Sequence, residues 1–377
     1  MFMSKLVLFG GIATLMGTIV GAGILGLPYA IAKSGFYIGL LEIVLIGLIF
    51  LLAHLMFGEV MLRTKGSHQL PGYAKIYLGK AGKIILLIAM IFGIYGPLLA
   101  YLIGTGNALS AIFPSISPFV FSIIMFAILS VLVFSGLKVV EESEFGLMFI
   151  LIGVILAISI WALLSGKFDS SFVQGFNVWN LFIPYGIIVF AFMGAPALPE
   201  VKEELKNHKH LLKKVIIWAS LLPILIYVFF VFCVIGVTGA STTEIATIGL
   251  GNVLGPKMVL LGNLLAIFGM STSFIALGLA MKEMYTFDLK MNKNLAWALT
   301  CSVPLILFLL GLNNFISVLS FTGAIAGGLI GILIVLMFWQ AKKFGQRTPE
   351  YSLKKNFWLS LLIIIVFSSG IAYVFWF

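Results

Sequence analysis

The stretch GTIVGAGILGLP, from Gly17 to Pro28, sets four glycines and a proline in the middle of an apolar segment running from about Val7 to Ala32. That segment is long enough to cross a bilayer, for which roughly 20 residues suffice. Held as one unbroken helix, Gly17, Gly21, Gly23, Gly26 and Pro28 would give up roughly 7 kcal/mol relative to alanine, at about 1 per glycine and about 3 for the proline. Pro28 also has no amide to offer the Ile24 carbonyl. A segment interrupted at mid-depth has to turn its freed backbone groups toward protein, water or a ligand, because lipid cannot satisfy them. The amides that open the second half, at Gly21, Ala22 and Gly23, carry a positive dipole end and suit a carboxylate. The carbonyls that close the first half, near Gly17 and Val20, carry the negative end and suit a small cation. Close helix packing, for which membrane helices use glycine, is the other reading of the same residues.

A second segment has the same character. PYGIIVFAFMGAPALPEVKEEL, from Pro184 to Leu205, is interrupted by Gly194, Pro196 and Pro199. Phe192 and Ala195 each lie four residues before a proline, so their carbonyls lose an amide partner and could accept from an ammonium group. Phe190 and Phe192 flank the gap and could wall a pocket, or they could pack as ordinary core. A third feature is the run Gly269-Met270-Ser271-Thr272-Ser273, with three adjacent hydroxyls. Ser271 and Thr272 could complete a cation site with the Gly17 and Val20 carbonyls, or bond back to carbonyls one turn earlier.

The elements that hold these residues follow from composition. The chain has 377 residues, 62% hydrophobic and only 10% charged, which makes it a polytopic membrane protein. Apolar runs predict eleven spans, near residues 7–32, 37–62, 82–112, 118–136, 145–164, 181–200, 212–238, 257–281, 295–311, 314–339 and 357–376. The third is over-long. The net charge of +10 is not a nucleic-acid footprint. With the N-terminus inside, eleven spans put all but Lys33, Lys167 and Lys257 of the 23 basic residues on the inner side. That asymmetry is the positive-inside signature, and it places the C-terminus outside.

Aligning Pro28 with Pro199 pairs Gly26-Leu27-Pro28 with Ala197-Leu198-Pro199. Five spans precede the second interruption, and five is odd, so the second block enters the membrane from the opposite side. Interrupted segments at matching positions of two inverted halves point to a mid-membrane substrate site. The expected organisation is one transmembrane domain over residues 1–377, with inverted repeats over about 5–170 and 175–340. The helix at 357–376 falls outside them.

These residues carry a family resemblance. GTIVGAGILGLPYA, followed by Lys33-Ser34-Gly35-Phe36, resembles the first helix of the amino acid/auxin permeases, within the amino acid–polyamine–organocation superfamily. FAFMGAPALPEV, Phe190 to Val201, resembles the sixth helix of that family. The resemblance implies a LeuT-type all-α fold with five-plus-five inverted repeats and secondary active amino acid transport. It assigns Gly21, Ala22 and Gly23 to a carboxylate cradle, and an aromatic of the third helix to closing over the substrate, for which Tyr101 is preferred to Tyr95. It places a coupling cation, Na+ or H+, at Gly17, Val20, Ser271 and Thr272. The fifth span, Glu144 to Leu164, lacks the lysine that some superfamily members put there, which favours sodium. No acidic or basic side chain marks the pocket, so a neutral substrate, apolar or aromatic, is expected.

The intramembrane ionisable groups are Glu42, expected to pair with Lys33, Glu59, expected to pair with Arg63, and His54. His54 could take a proton, or it could be a neutral histidine bonded between helices. Glu200 ends the second broken helix on the inner side and could gate with a lysine. His208 and His210 read as a solvated loop rather than a metal site. Cys233 and Cys301 suggest neither a disulfide nor a thiolate site. With no nucleophile–base pair, metal-ligand cluster or phosphate loop, no cofactor is expected and an enzyme is not expected. A membrane amino acid sensor that signals to a partner is the alternative, and it would be expected to add a long cytoplasmic tail.

Overall fold

The first apolar segment does not cross as one helix. Helix α1 (Phe2–Ile19) stops, Val20 and Gly21 follow, and a 3-10 turn over Ala22–Gly26 leads into α2 (Leu27–Ser34). The two parts are bent by 43°. Pro28 sits in the first turn of α2, where its missing amide costs nothing. The computed structural model describes residues 2–136, 139–288 and 290–376. Lys138 and the side chains of Lys5 and Glu144 lie outside what it describes.

Every regular element among the described residues is a helix. After α2 come α3 (Phe36–Arg63), α4 (Leu70–Ile112), α5 (Pro118–Ser135) and α6 (Val139–Leu164). The second interrupted segment is α7 (Tyr185–Ala191), a gap, a 3-10 turn over Ala195–Ala197, and α8 (Leu198–Glu204). Then follow α9 (Leu212–Thr238), α10 (Ala246–Leu254), α11 (Pro256–Glu283), α12 (Lys293–Leu309), α13 (Phe315–Thr322), α14 (Gly328–Phe344) and α15 (Phe357–Trp376). Among the described residues, seven stretches are long and apolar enough to cross a membrane, and the bent pair α1–α2 makes an eighth. Of the other three expected spans, 145–164 falls within the 26-residue α6, 181–200 is interrupted, and 295–311 falls on the 17-residue α12.

The over-long third span has a local cause. Gly79, at φ 73°, interrupts helical geometry inside α4, so the segment from Leu70 is a separate helical piece leading into the span. The tenth span contains a π turn over Gly323–Gly327 between α13 and α14. There the backbone comes so close to α7 that a Cβ on Gly323 would collide with the Gly186 carbonyl and the Phe190 amide. Helix α10 lies outside the expected spans because nine residues are too few to register as one. It is tied to α11 by the buried Thr247 hydroxyl, which donates to Asn263 Oδ1 at 2.9 Å.

Polar contacts gather at the end expected to face inward. Glu59, fully buried, pairs with Arg63 as expected and also with Lys342 of α14, each at 2.7 Å, and accepts the Leu353 amide at 2.6 Å. Helix α8 is fastened there too. Lys202 donates to the Gly66 carbonyl at 2.9 Å and to the Tyr73 hydroxyl at 3.0 Å, Ser67 donates to Glu203, and Thr14 of α1 donates to Glu204 at 2.8 Å. Burial pushes the Lys202 ammonium below its ordinary range and the Tyr73 phenol up to about 12. At the other end Glu244 receives the Asn314 amide group and the Phe315 backbone amide at the start of α13.

Candidate functional site

At the first interruption the chain leaves its own groups unpaired. The helical bonding of α1 ends at Val20, and the Ala22 and Gly23 amides find no carbonyl behind them to donate to. The Gly17, Thr18 and Val20 carbonyls likewise receive no amide from the chain ahead. Gly21 departs from the expectation, since its amide turns back to the Ile19 carbonyl at 3.0 Å. The Ile24 carbonyl is not orphaned by Pro28 either, because the 3-10 geometry lets the Leu27 amide reach it. The amides left unpartnered at this break are therefore those of Ala22 and Gly23, beside Gly21. Its position is open, for nothing lies within 4 Å of where a Gly21 Cβ would stand.

The second interruption behaves in part as expected. The Phe192 and Met193 carbonyls receive no amide from the chain ahead. The Ala195 carbonyl does, from Leu198, so the reasoning from Pro199 fails where a 3-10 turn supplies a nearer donor. The two phenylalanines part company. Phe190 is half-buried and its ring lies against Gly23, where an added Cβ would stand 3.0 Å from Cδ1. Phe192 is 1% exposed and packs between α3 and α9, with Phe50 at 6.3 Å and Tyr227 at 5.1 Å between ring centroids. It is core, not pocket wall.

The two interruptions are joined by a residue that the sequence reading did not single out. The hydroxyl of Tyr227, fully buried on α9, lies 2.8 Å from the Ile19 carbonyl and 2.8 Å from the Ala191 carbonyl, the last residues of α1 and α7. A lone tyrosine in the apolar run LLPILIYVFFVFCVIG was the available signal, since a buried phenol needs a partner.

Two interrupted helices facing one another in this way suit a carrier, and the sequence signature of the tryptophan/tyrosine permease family matches residues 4–376. The chain belongs to that family. It is 24% identical over 330 residues to Glutamine transporter 2 of Aliivibrio fischeri (strain ATCC 700601 / ES114), covering 84% of this chain and 85% of that one. It is also 24% identical over 382 residues to Tyrosine-specific transport system 1 of Haemophilus influenzae (strain ATCC 51907 / DSM 11121 / KW20 / Rd), covering 95% and 93%. The fold is that of MhsT, solved in complex with L-phenylalanine, with a TM-score of 0.68, 16% identity and 97% of both chains covered. This is a multi-pass membrane permease of LeuT-type fold, and its relatives are amino acid transporters rather than enzymes.

Within the permease the remaining expected residues are placed as follows. A small cavity of about 10 Å³, room for about one water, is lined by Gly21 and Ala22 with apolar residues of α6 and α11, among them Leu151, Ile155, Gly269 and Met270. A second of about 10 Å³ lies between Ala195, Pro196 and Met193 on one side and Phe50, His54 and Gly331 on the other. Ala195 thus faces α3 and α14, away from the cavity at Gly21. Tyr101 is buried on α4 and faces Ser273 of α11, while Tyr95 is bonded away to Tyr285 at 2.7 Å. The expected cation hydroxyls divide. Thr272 bonds back to the Phe268 and Gly269 carbonyls at 2.9 and 3.1 Å, whereas the buried Ser271 hydroxyl has no hydrogen-bond partner among the described residues.

The ionisable groups resolve unevenly. His54 Nδ1 lies 3.2 Å from the Ser220 hydroxyl of α9, so it bonds between helices, and its Nε2 has no partner among the described residues. Glu42 does not pair with Lys33, whose ammonium lies 5.4 Å above the Tyr29 ring. The inner contacts of α8 are made by Lys202, Glu203 and Glu204. His208 and His210 sit at 6.2 Å between ring centroids, and no group of metal-ligating side chains occurs among the described residues.

Proposed function

We propose that this permease carries neutral amino acids with apolar or aromatic side chains across the cytoplasmic membrane by alternating access, with Na+ or H+ moving alongside. The observation that carries the reading is the meeting of two interrupted helices whose main-chain amides and carbonyls have no partner in the chain. The Ala22 and Gly23 amides would take the carboxylate and the Phe192 and Met193 carbonyls the ammonium. Phe190 and Tyr101 would border the side chain. The Gly17 and Val20 carbonyls with the Ser271 and Thr272 hydroxyls offer oxygen ligands to a small cation, the Thr272 hydroxyl donating to its own helix and keeping its lone pairs free.

The family description, the printed names of the glutamine and tyrosine transporters, and the phenylalanine bound to MhsT all support a neutral substrate. The same proposal includes eleven spans in two inverted five-helix repeats plus a last helix, a cytoplasmic N-terminus and an outward C-terminus. It also includes membership of the wider amino acid/auxin permease group. Purified protein in vesicles tests it with a panel of labelled amino acids, run under separate sodium and pH gradients. Exchange of at least one neutral amino acid, driven uphill by one of the two gradients, is the expected result. Failure of every neutral amino acid to exchange would sink the proposal.

A further inference from the structure

Helices α1 and α7 end on the same point. Each presents a terminal carbonyl there, the partial negative end of a half-helix, and like ends at close quarters repel. Between them stands one group, the Tyr227 hydroxyl, at 2.8 Å from the Ile19 oxygen and 2.8 Å from the Ala191 oxygen. A phenol has a single proton, so it can serve both only as a shared donor. The two claims on that proton are unequal. The Ile19 carbonyl also accepts the Gly21 amide at 3.0 Å, whereas the Ala191 carbonyl receives no amide from the chain ahead. The ring is wedged against Phe192, one residue beyond Ala191, at 5.1 Å between centroids. By both bonds and packing Tyr227 belongs first to α7 and reaches out to α1.

We propose that Tyr227 is the positioning residue of the site, its shared hydroxyl proton fixing the first unwound segment against the second. The bond lies two residues before Gly21 and four before Gly23, where the Phe190 ring is already in contact. Losing it would free the end of α1 to move relative to α7, and Ala22 and Gly23 would no longer keep their place against Phe190 and Ala191. Tyr227 touches neither substrate nor ion in this account. The inference rests on the reading of the chain as an amino acid carrier.

Tyr227→Phe tests it, because phenylalanine keeps the ring on Phe192 and removes only the donor. In reconstituted vesicles, for a neutral amino acid that the wild type exchanges, KM should rise about tenfold while the maximal rate stays within about threefold. In the same protein, spin labels at Leu6 on α1 and Leu181 before α7, both exposed, should show a broadened distance distribution. An unchanged KM with an unchanged distribution would overturn the proposal, as would a loss confined to the maximal rate. If Tyr227→Phe does not fold, 3-fluorotyrosine at position 227 keeps ring and hydroxyl and alters donor strength. A shift in KM is then expected, and none would overturn the proposal. If the wild type exchanges no neutral amino acid, the carrier reading falls, and the distance measurement still decides whether Tyr227 holds the two helices together.

Discussion

The two interrupted helices look alike in sequence and differ in what surrounds them. The first opens onto space: nothing fills the position a Gly21 Cβ would take, and a small apolar cavity adjoins Gly21 and Ala22. The second is packed tightly at Gly194 and Phe192, and the cavity of similar size beside Met193, Ala195 and Pro196 faces α3 and α14 instead. A Cβ on Gly194 would meet Ile19 at 2.7 Å and Leu15 at 3.1 Å, and Phe192 is buried between Phe50 and Tyr227. Two breaks with similar composition therefore carry different work. In the proposed function the first break offers the Ala22 and Gly23 amides, and the second offers the Phe192 and Met193 carbonyls and the Phe190 ring.

The contrast breaks most visibly at glycines. Gly23→Val should weaken amino acid binding by at least about a hundredfold, about 2.7 kcal/mol, because the new side chain would strike the Phe190 ring and the Ala191 backbone. Gly194→Ala should instead lower thermal stability and leave the affinity of folded protein within about threefold. Binding measured by scintillation proximity beside a melting curve separates the two, and equal effects on affinity would erase the difference.

Phe190 and Phe192 sharpen it next. Phe192→Ala should cost about 3 kcal/mol or more of stability, as expected for a buried aromatic, with selectivity kept. Phe190→Ala should leave the melting temperature nearly unchanged and alter the ranking of amino acids in a competition assay. A stable Phe192→Ala with altered ranking would return that ring to the pocket.

The smallest effect is expected at the cation hydroxyls. Ser271→Ala and Thr272→Ala should each reduce the response of uptake to the coupling gradient several-fold, since the Thr272 hydroxyl donates to its own helix and keeps its lone pairs for a cation. Gradient-driven uptake at fixed substrate concentration reads both.

Much of this was legible in the residues. Glycine spacing located the first break, prolines the second, and Glu59 four residues before Arg63 gave the inner ion pair. What escaped sequence has a common cause, which is that it depends on where helices meet. Whether Ile24 and Ala195 keep their carbonyls free turns on 3-10 geometry, which proline spacing does not specify. The opposite fates of Phe190 and Phe192, two residues apart, follow from which neighbour each side of a seven-residue helix meets. Tyr227 joins two helix ends 172 positions apart, and Lys342 joins Glu59 across the fold; the lone tyrosine was visible in its apolar run, but no local pattern names the partners of either residue.

The central claim is that the first break binds a carboxylate through the Ala22 and Gly23 amides. The most direct measurement sets a neutral amino acid that the permease exchanges against its decarboxylated amine and its methyl ester, as competitors for binding to purified protein. The account predicts that the amino acid competes and that both derivatives fail, by about a hundredfold or more, about 2.7 kcal/mol. Competition by the amine or the ester as strong as that of the amino acid would contradict it.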